Sequence, residues 1–159
     1  MEANPLTTFA SAGYRKLIAI GEALKSPLLL AIRLYWGWHF FQTGLGKLGN
    51  LSGTTSFFHE LGIPFPGLNA VLAATTECIG GLFLLLGFAS RLVAVPLIIT
   101  MIVAYITADL DAVKAIFSDS DQFVTATPFL FLFACVIVLV FGPGKFSVDH
   151  LLARRFQPL

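Results

Sequence analysis

The sequence predicts an all-α protein: an integral-membrane, antiparallel four-helix bundle preceded by a short N-terminal interfacial helix. Three observations carry this. The 159 residues are 57% hydrophobic and only 12% charged, against about 25% charged in soluble domains. Four apolar runs, about 28–47, 67–88, 91–108 and 123–142, approach the roughly 20 residues a bilayer core requires. None alternates as a strand would, and in lipid every backbone group must be satisfied internally. The mean hydropathy is +0.84. A net charge of +1 gives no basic field for nucleic acid.

Residues 1–27 read as a cytoplasmic tail. Residues 1–13 lack the apolar core and cleavage site of a signal peptide, so targeting falls to the first span. Within 14–25, Leu17, Ile20, Gly21 and Leu24 share one helical face, with Arg15, Lys16, Glu22 and Lys25 mostly elsewhere. That pattern suits a helix lying on the membrane surface; a soluble extension of the first span is the alternative. Residues 28–152 form the four-span domain and 153–159 a second cytoplasmic tail.

In the first outer loop, about 49–66, Ser52 to Leu61 forms a short helix ended by Gly62 and Pro64. Phe57, Phe58 and Leu61 then touch the membrane interface, as a lid over the bundle or as an anchor. Pro96 lies one turn inside the third run, where a missing N–H does least harm. With a cytoplasmic N-terminus, the inner side holds Arg15, Lys16, Lys25, Arg33, Arg91, Lys145, Arg154 and Arg155, and the outer side Lys47 and Lys114. Eight against two places both termini in the cytoplasm and the chain in the cell inner membrane. Asp109, Asp111, Asp119 and Asp121 share one outer loop without the spacing of a calcium loop.

Glu77 stands near the middle of the second run, where an unpaired ionisable group costs several kcal/mol. Ala73, Glu77, Gly80, Leu84 and Gly87 follow a 4-3-4-3 spacing, so Glu77 faces the bundle and the small residues admit a neighbouring helix. It serves either as an interhelical hydrogen-bonding group or as a proton relay or ligand contact. His39 and Gln42 share a face of the first span. Antiparallel counting sets His39 at the depth of Glu77, so a His39–Glu77 pair is a candidate for proton handling or quinone binding. A structural hydrogen bond for His39, or axial ligation of haem or chlorophyll, is the alternative. Arg33 snorkels or forms a structural clasp with Asp149. Lys47 snorkels at the outer boundary or holds an anionic group. Cys78 and Cys135 read as small packing groups. No His/Cys cluster has zinc spacing, and Gly44–Gly49 follows a helix rather than a strand, so it is no dinucleotide fingerprint.

Several segments in combination resemble the DoxX family of small four-span membrane proteins. They are Arg33 with Phe40-Phe41-Gln42-Thr43-Gly44-Leu45-Gly46-Lys47-Leu48, then Leu61-Gly62-Ile63-Pro64-Phe65-Pro66, Glu77-Cys78-Ile79-Gly80-Gly81, Gly87-Phe88-Ala89-Ser90-Arg91, and Gly142-Pro143-Gly144-Lys145-Phe146-Ser147-Val148-Asp149. The match covers about 28–152. The resemblance implies a four-helix membrane bundle and, for some relatives, quinone-coupled thiosulfate oxidation or membrane oxidoreductase assemblies that respond to thiol stress. Many relatives carry a His near the outer end of the third span. Here that stretch reads Tyr105-Ile106-Thr107-Ala108-Asp109, so chemistry depending on such a His is not expected.

The sequence contains no haem-attachment motif, iron–sulfur cysteines or flavin fold. The expectation is therefore an accessory membrane subunit of a redox or electron-transfer complex, partnered by lipid and by other membrane subunits. The alternatives are a quinone- or sulfur-compound-linked oxidoreductase subunit using Glu77 and His39, and a small transporter or scaffold.

Overall fold

The computed structural model describes the backbone of residues 5–156 and the side chains of residues 13–156. The described residues are helical, with no strand. The elements are α1 (Pro5–Gly49), α2 (Leu51–Glu60), α3 (Pro66–Leu86), α4 (Ser90–Thr107), α5 (Leu110–Lys114), α6 (Ser120–Thr125), α7 (Pro128–Phe141) and α8 (Val148–Phe156).

Four of them pack in a closed ring: α1 on α3, α3 on α4, α4 on α7, and α7 back on α1. Neighbours run antiparallel. Gly37 of α1 meets Leu85 of α3 while Gly44 meets Cys78. Arg91 of α4 reaches Val140 of α7, while Tyr105 reaches Phe123 just before α7. The core between them is Phe40, Leu84, Ala94, Leu97, Met101, Cys135 and Val138. Aliphatic side chains on the outer faces, such as Ile79, Leu82, Leu92 and Ile102, are exposed, as expected of helices whose apolar surround is lipid.

α3 and α4 are long and apolar enough to cross a membrane. The fourth run departs from expectation. It is not one helix over 123–142: α6 ends at Thr125, Ala126 is extended, and α7 starts with Pro128 at its first turn. Thr127, before the proline, is itself in the helical region, so the break is the single extended Ala126; Pro at N1 then starts the new helix well. α7 has 14 residues, about 21 Å at 1.5 Å per residue. The N-terminal segment departs too. Residues 14–25 are the exposed first half of α1, which passes through Pro27 without a break. They form the extension of the first span rather than a separate helix.

Tight connections fix the ends. Gly87, at φ +70°, closes α3 with its N–H on the Leu84 carbonyl. Asp149 then caps α4 from the far end of the chain, accepting from the N–H groups of Ala89 at 2.6 Å and Ser90 at 2.9 Å. At the other end Asn50 caps α2 by accepting from the Gly53 N–H at 3.1 Å. Gly62, at φ +71°, carries the chain out of α2 toward α3.

Candidate functional site

The inward face of α1 is Arg33, Gly37, Phe40 and Gly44, all buried, with Lys47 next in the same 4-3-4-3 series. α3 answers with buried Ala70, Ala74, Glu77, Gly80, Gly81 and Leu84. The glycines set the distance between the two helices. A Cβ on Gly44 would lie 2.3 Å from the Cys78 backbone nitrogen, and one on Gly81 would lie 2.5 Å from that of Phe41. No side chain fits between the backbones there. This approach brings a cation from one helix onto a carboxylate of the other.

Lys47 Nζ lies 2.5 Å from Glu77 Oε1. Glu77 is 1% exposed and Lys47 33%. A pair so poorly solvated persists only if the attraction and added hydrogen bonds offset desolvation. Here the offset is incomplete, because Glu77 Oε2 is buried without a protein partner.

The pair sits in the wall of a cavity of about 820 Å³. Phe40, Ala73, Met101 and Phe131 supply apolar wall, and Phe57, Phe58 and Leu61 of the α2 segment line it toward the loop end. Thr43 and Thr100 also line it, but their hydroxyls donate to the Phe40 and Pro96 carbonyls of their own helices, both at 3.0 Å. Among the described residues, Glu77 Oε2 is the one buried, unpartnered side-chain oxygen in the cavity wall. The site can thus offer an anionic acceptor, with a cation alongside, to a mainly apolar ligand.

The remaining predicted residues lie elsewhere. His39 does not pair with Glu77. It is half-buried among aromatic rings, with centroids at 4.6 Å for Tyr35, 6.0 Å for Trp36 and 6.5 Å for Phe131. Gln42 is exposed. Neither lines the cavity. Both occupy the face adjacent to the Phe40–Thr43–Lys47 edge, and the register sets Gly44, not His39, opposite Cys78, so His39 is more than a turn from Glu77 along α1 as well as turned away from it. The missed partner is Lys47. Its signal was present, since Arg33, Gly37, Phe40, Gly44 and Lys47 repeat the spacing that turns Glu77 inward.

Arg33 and Asp149 form no ion pair within 4 Å. Arg33 is fully buried and donates from Nη2 to the Phe146 carbonyl. Asp149 caps α4, and its own N–H donates to the Gly87 carbonyl at 2.9 Å. Each fastens the closing segment, one to α1 and the other to the α3–α4 turn. Gly87 makes room: a Cβ there would fall 1.6 Å from Arg33 Nη1. Cys78 and Cys135 are free thiols. Tyr105 stacks on Phe123 and donates to its carbonyl at 2.9 Å. Among the described residues, no three His, Cys, Asp or Glu side chains come together as a metal-binding group.

The family model for DoxX matches residues 28–110. The chain belongs to the DoxX family. The matched stretch contains α2, α3, α4 and the Arg33–Lys47 face of α1, hence both members of the ion pair. A Bacillus subtilis (strain 168) protein named "Putative oxidoreductase CatD" is 32% identical over 120 residues, covering 76% of this chain and 83% of that protein. An uncharacterized membrane protein of Mycobacterium tuberculosis (strain ATCC 25618 / H37Rv) is 30% identical over 141 residues, covering 81% and 83%. An uncharacterized protein of Haemophilus influenzae is 24% identical over 145 residues, covering 89% and 91%. No solved structure gives a significant match. This DoxX protein is therefore a membrane protein, and its cavity is bounded largely by the segment that defines the family.

Proposed function

We propose that this DoxX protein is a four-span inner-membrane subunit of a redox assembly that holds a quinone or quinol against the Lys47–Glu77 pair. The electron carriers reside on a partner subunit. The observation that carries the reading is the unpartnered Glu77 Oε2 in the wall of an apolar cavity of about 820 Å³. A quinol hydroxyl donates to that oxygen, a quinone carbonyl accepts from Lys47, and the apolar walls take the ring and the start of its tail. Small-molecule sites of this kind are mostly apolar with a few placed polar groups. A free sulfur oxyanion is less well served, because the unpartnered Glu77 oxygen would repel it and the rest of the wall is mainly apolar. His39 takes no part.

The redox association is supported by the printed name of the Bacillus subtilis relative. The need for a partner follows from the lack of haem-attachment, iron–sulfur and flavin motifs in the sequence. Four crossings with both termini cytoplasmic are supported by the ring of antiparallel helices and by the excess of Lys and Arg at the Asp149 end.

Titration of a short-chain quinol into the purified protein, followed by calorimetry, tests the reading. Hydrogen bonds to charged groups contribute about 1.5–3 kcal/mol, so Glu77→Gln should weaken binding about tenfold or more, and His39→Leu should leave it unchanged. The opposite pattern would move the ligand to the aromatic cluster and overturn the assignment. Purification from native membranes in mild detergent should retain a redox-active partner; recovery as a lone chain would sink that part.

A further inference from the structure

A second recess lies at the Asp149 end of the ring, far from the Lys47–Glu77 cavity along the helices. Its volume is about 550 Å³. Arg91 from the first turn of α4, Lys145 from the closing segment and His150 from α8 line it. Lys25 of α1 stands beside it, its Nζ 5.7 Å from the centroid of Phe141, which is part of the wall. Three helices and a loop thus bring basic groups to one place.

The recess is held in shape. Arg91 Nη2 donates to the Val140 carbonyl at 3.2 Å, and the Lys145 N–H donates to Ser26 Oγ at 3.2 Å. Gly142 and Gly144, at φ +76° and +79°, turn the loop between α7 and α8. A Cβ on Gly142 would sit 3.3 Å from Arg91 Nη2. The acid in the wall, Asp149, has both carboxylate oxygens engaged by the N–H groups of Ala89 and Ser90. Glu22, exposed one turn before Lys25, is the other acid near this end of α1. Positive charge therefore exceeds negative around the recess. On its lipid side stand Leu92, 74% exposed, and Phe141, 56% exposed.

We propose that this recess binds the phosphodiester headgroup of an anionic phospholipid. Arg91 and Lys145 meet the phosphate, His150 closes the recess from α8, and Leu92 and Phe141 lie along the acyl chains. The combination selects lipid over free phosphate: the cations sit on the rim of the apolar belt, and the exposed apolar side chains begin where a headgroup's chains begin. Basic pockets between helices at the membrane surface recognise anionic headgroups in this way. The inference rests on the membrane placement of the family and is independent of the quinone reading.

Native mass spectrometry of the full chain, titrated with phosphatidylglycerol and with phosphatidylcholine, tests it. Wild type should retain phosphatidylglycerol preferentially, and excess inorganic phosphate should not displace it. Arg91→Gln/Lys145→Gln should reduce that preference by roughly 25-fold, fivefold per basic side chain. Arg91→Lys/Lys145→Arg should keep most of it. Lys145→Gln/His150→Gln leaves the Arg91–Val140 contact intact and should still lose preference, which covers a folding failure of the first variant. Arg154→Gln/Arg155→Gln, on α8 beyond the recess, should change it little. A phosphatidylglycerol preference that survives both recess variants, or that vanishes only with Arg154 and Arg155, would overturn the site. Displacement by inorganic phosphate would overturn the lipid assignment.

Discussion

Lys47 and Glu77 share one contact but not one environment, and the asymmetry dictates how each should respond to removal. Lys47 is a third exposed, on a flexible four-carbon stem, so without Glu77 its ammonium can turn toward the loop end of the bundle. Glu77 is 1% exposed near the middle of α3 and has no such exit. Breaking a buried pair costs about 3–5 kcal/mol when it strands a charge, whereas replacing both partners with apolar groups is often neutral. Lys47→Met should therefore lower the melting temperature in detergent clearly more than Glu77→Leu, and the double variant should recover most of the loss. Equal losses for the two single variants would mean that the contact, not the stranded carboxylate, dominates. The same asymmetry suits a binding site: Oε1 is committed to Lys47, and Oε2 stands in the cavity wall without a partner.

At the scale of the helices, glycine position decides which faces can meet. Gly44 and Gly46 stand two residues apart in α1 with opposite surroundings. A Cβ on Gly44 would meet the Cys78 backbone at 2.3 Å, whereas one on Gly46 meets nothing within 4 Å. Gly44→Ala must push α1 and α3 apart, at about 1–3 kcal/mol for an overpacked contact. Gly46→Ala should be neutral or stabilising by up to about 1 kcal/mol through helix propensity. Melting curves of the two variants check the pair, and a neutral Gly44→Ala would refute backbone-to-backbone packing. The cap at the other end should behave as a cap: Asp149→Ala frees the N–H groups of Ala89 and Ser90 and should cost about 1–2 kcal/mol in the same assay. Small-residue periodicity made much of this legible in sequence. The spacing of α3 alone turns Glu77 inward, and in the fold Glu77 is buried. The His39–Glu77 expectation fails in both coordinates: close packing of Gly44 on Cys78 sets the register so that Glu77 lies more than a turn beyond His39, and one residue of offset separates His39 from the buried Phe40 face. The composition of the fourth run gives no sign of the break, which is one extended residue, Ala126, between α6 and the Thr127-Pro128 start of α7. The expected Arg33–Asp149 clasp gives way to a cap: the Asp149 carboxylate accepts from backbone N–H groups brought near by the α3–α4 turn, which side-chain spacing does not reveal.

The whole molecule is polarised along its helix axes, and the polarity bears on topology. One end carries Lys25, Arg33, Arg91, Lys145, Arg154 and Arg155; the other carries Lys47, Lys114 and the aspartates of the α4–α7 connection. The contacts between Lys25 and Phe141 and between Ser26 and Lys145 place the start of the ring and its close at the same end. Four crossings satisfy that arrangement, and so does any even number, so α7 decides the matter: its 14 residues reach about 21 Å, short of the roughly 30 Å hydrocarbon core. Polar residues around Pro128 would then lie within the outer part of the bilayer unless the membrane thins, or unless the α5–α6 segment covers them; non-helical backbone at depth is tolerated where protein or a cavity shields it. The cavity reaches Thr127 and Pro128, which supplies such shielding and ties the short helix to the cavity that holds the Lys47–Glu77 pair. With Cys78 and Cys135 replaced by alanine, Ser118→Cys in the α5–α6 connection should react with an impermeant maleimide in intact cells. Arg154→Cys in α8 should react only after permeabilisation. Labelling of both in intact cells, or of neither, would mean that the ring does not cross the bilayer as an even set, and the cytoplasmic placement of both termini would fall with it.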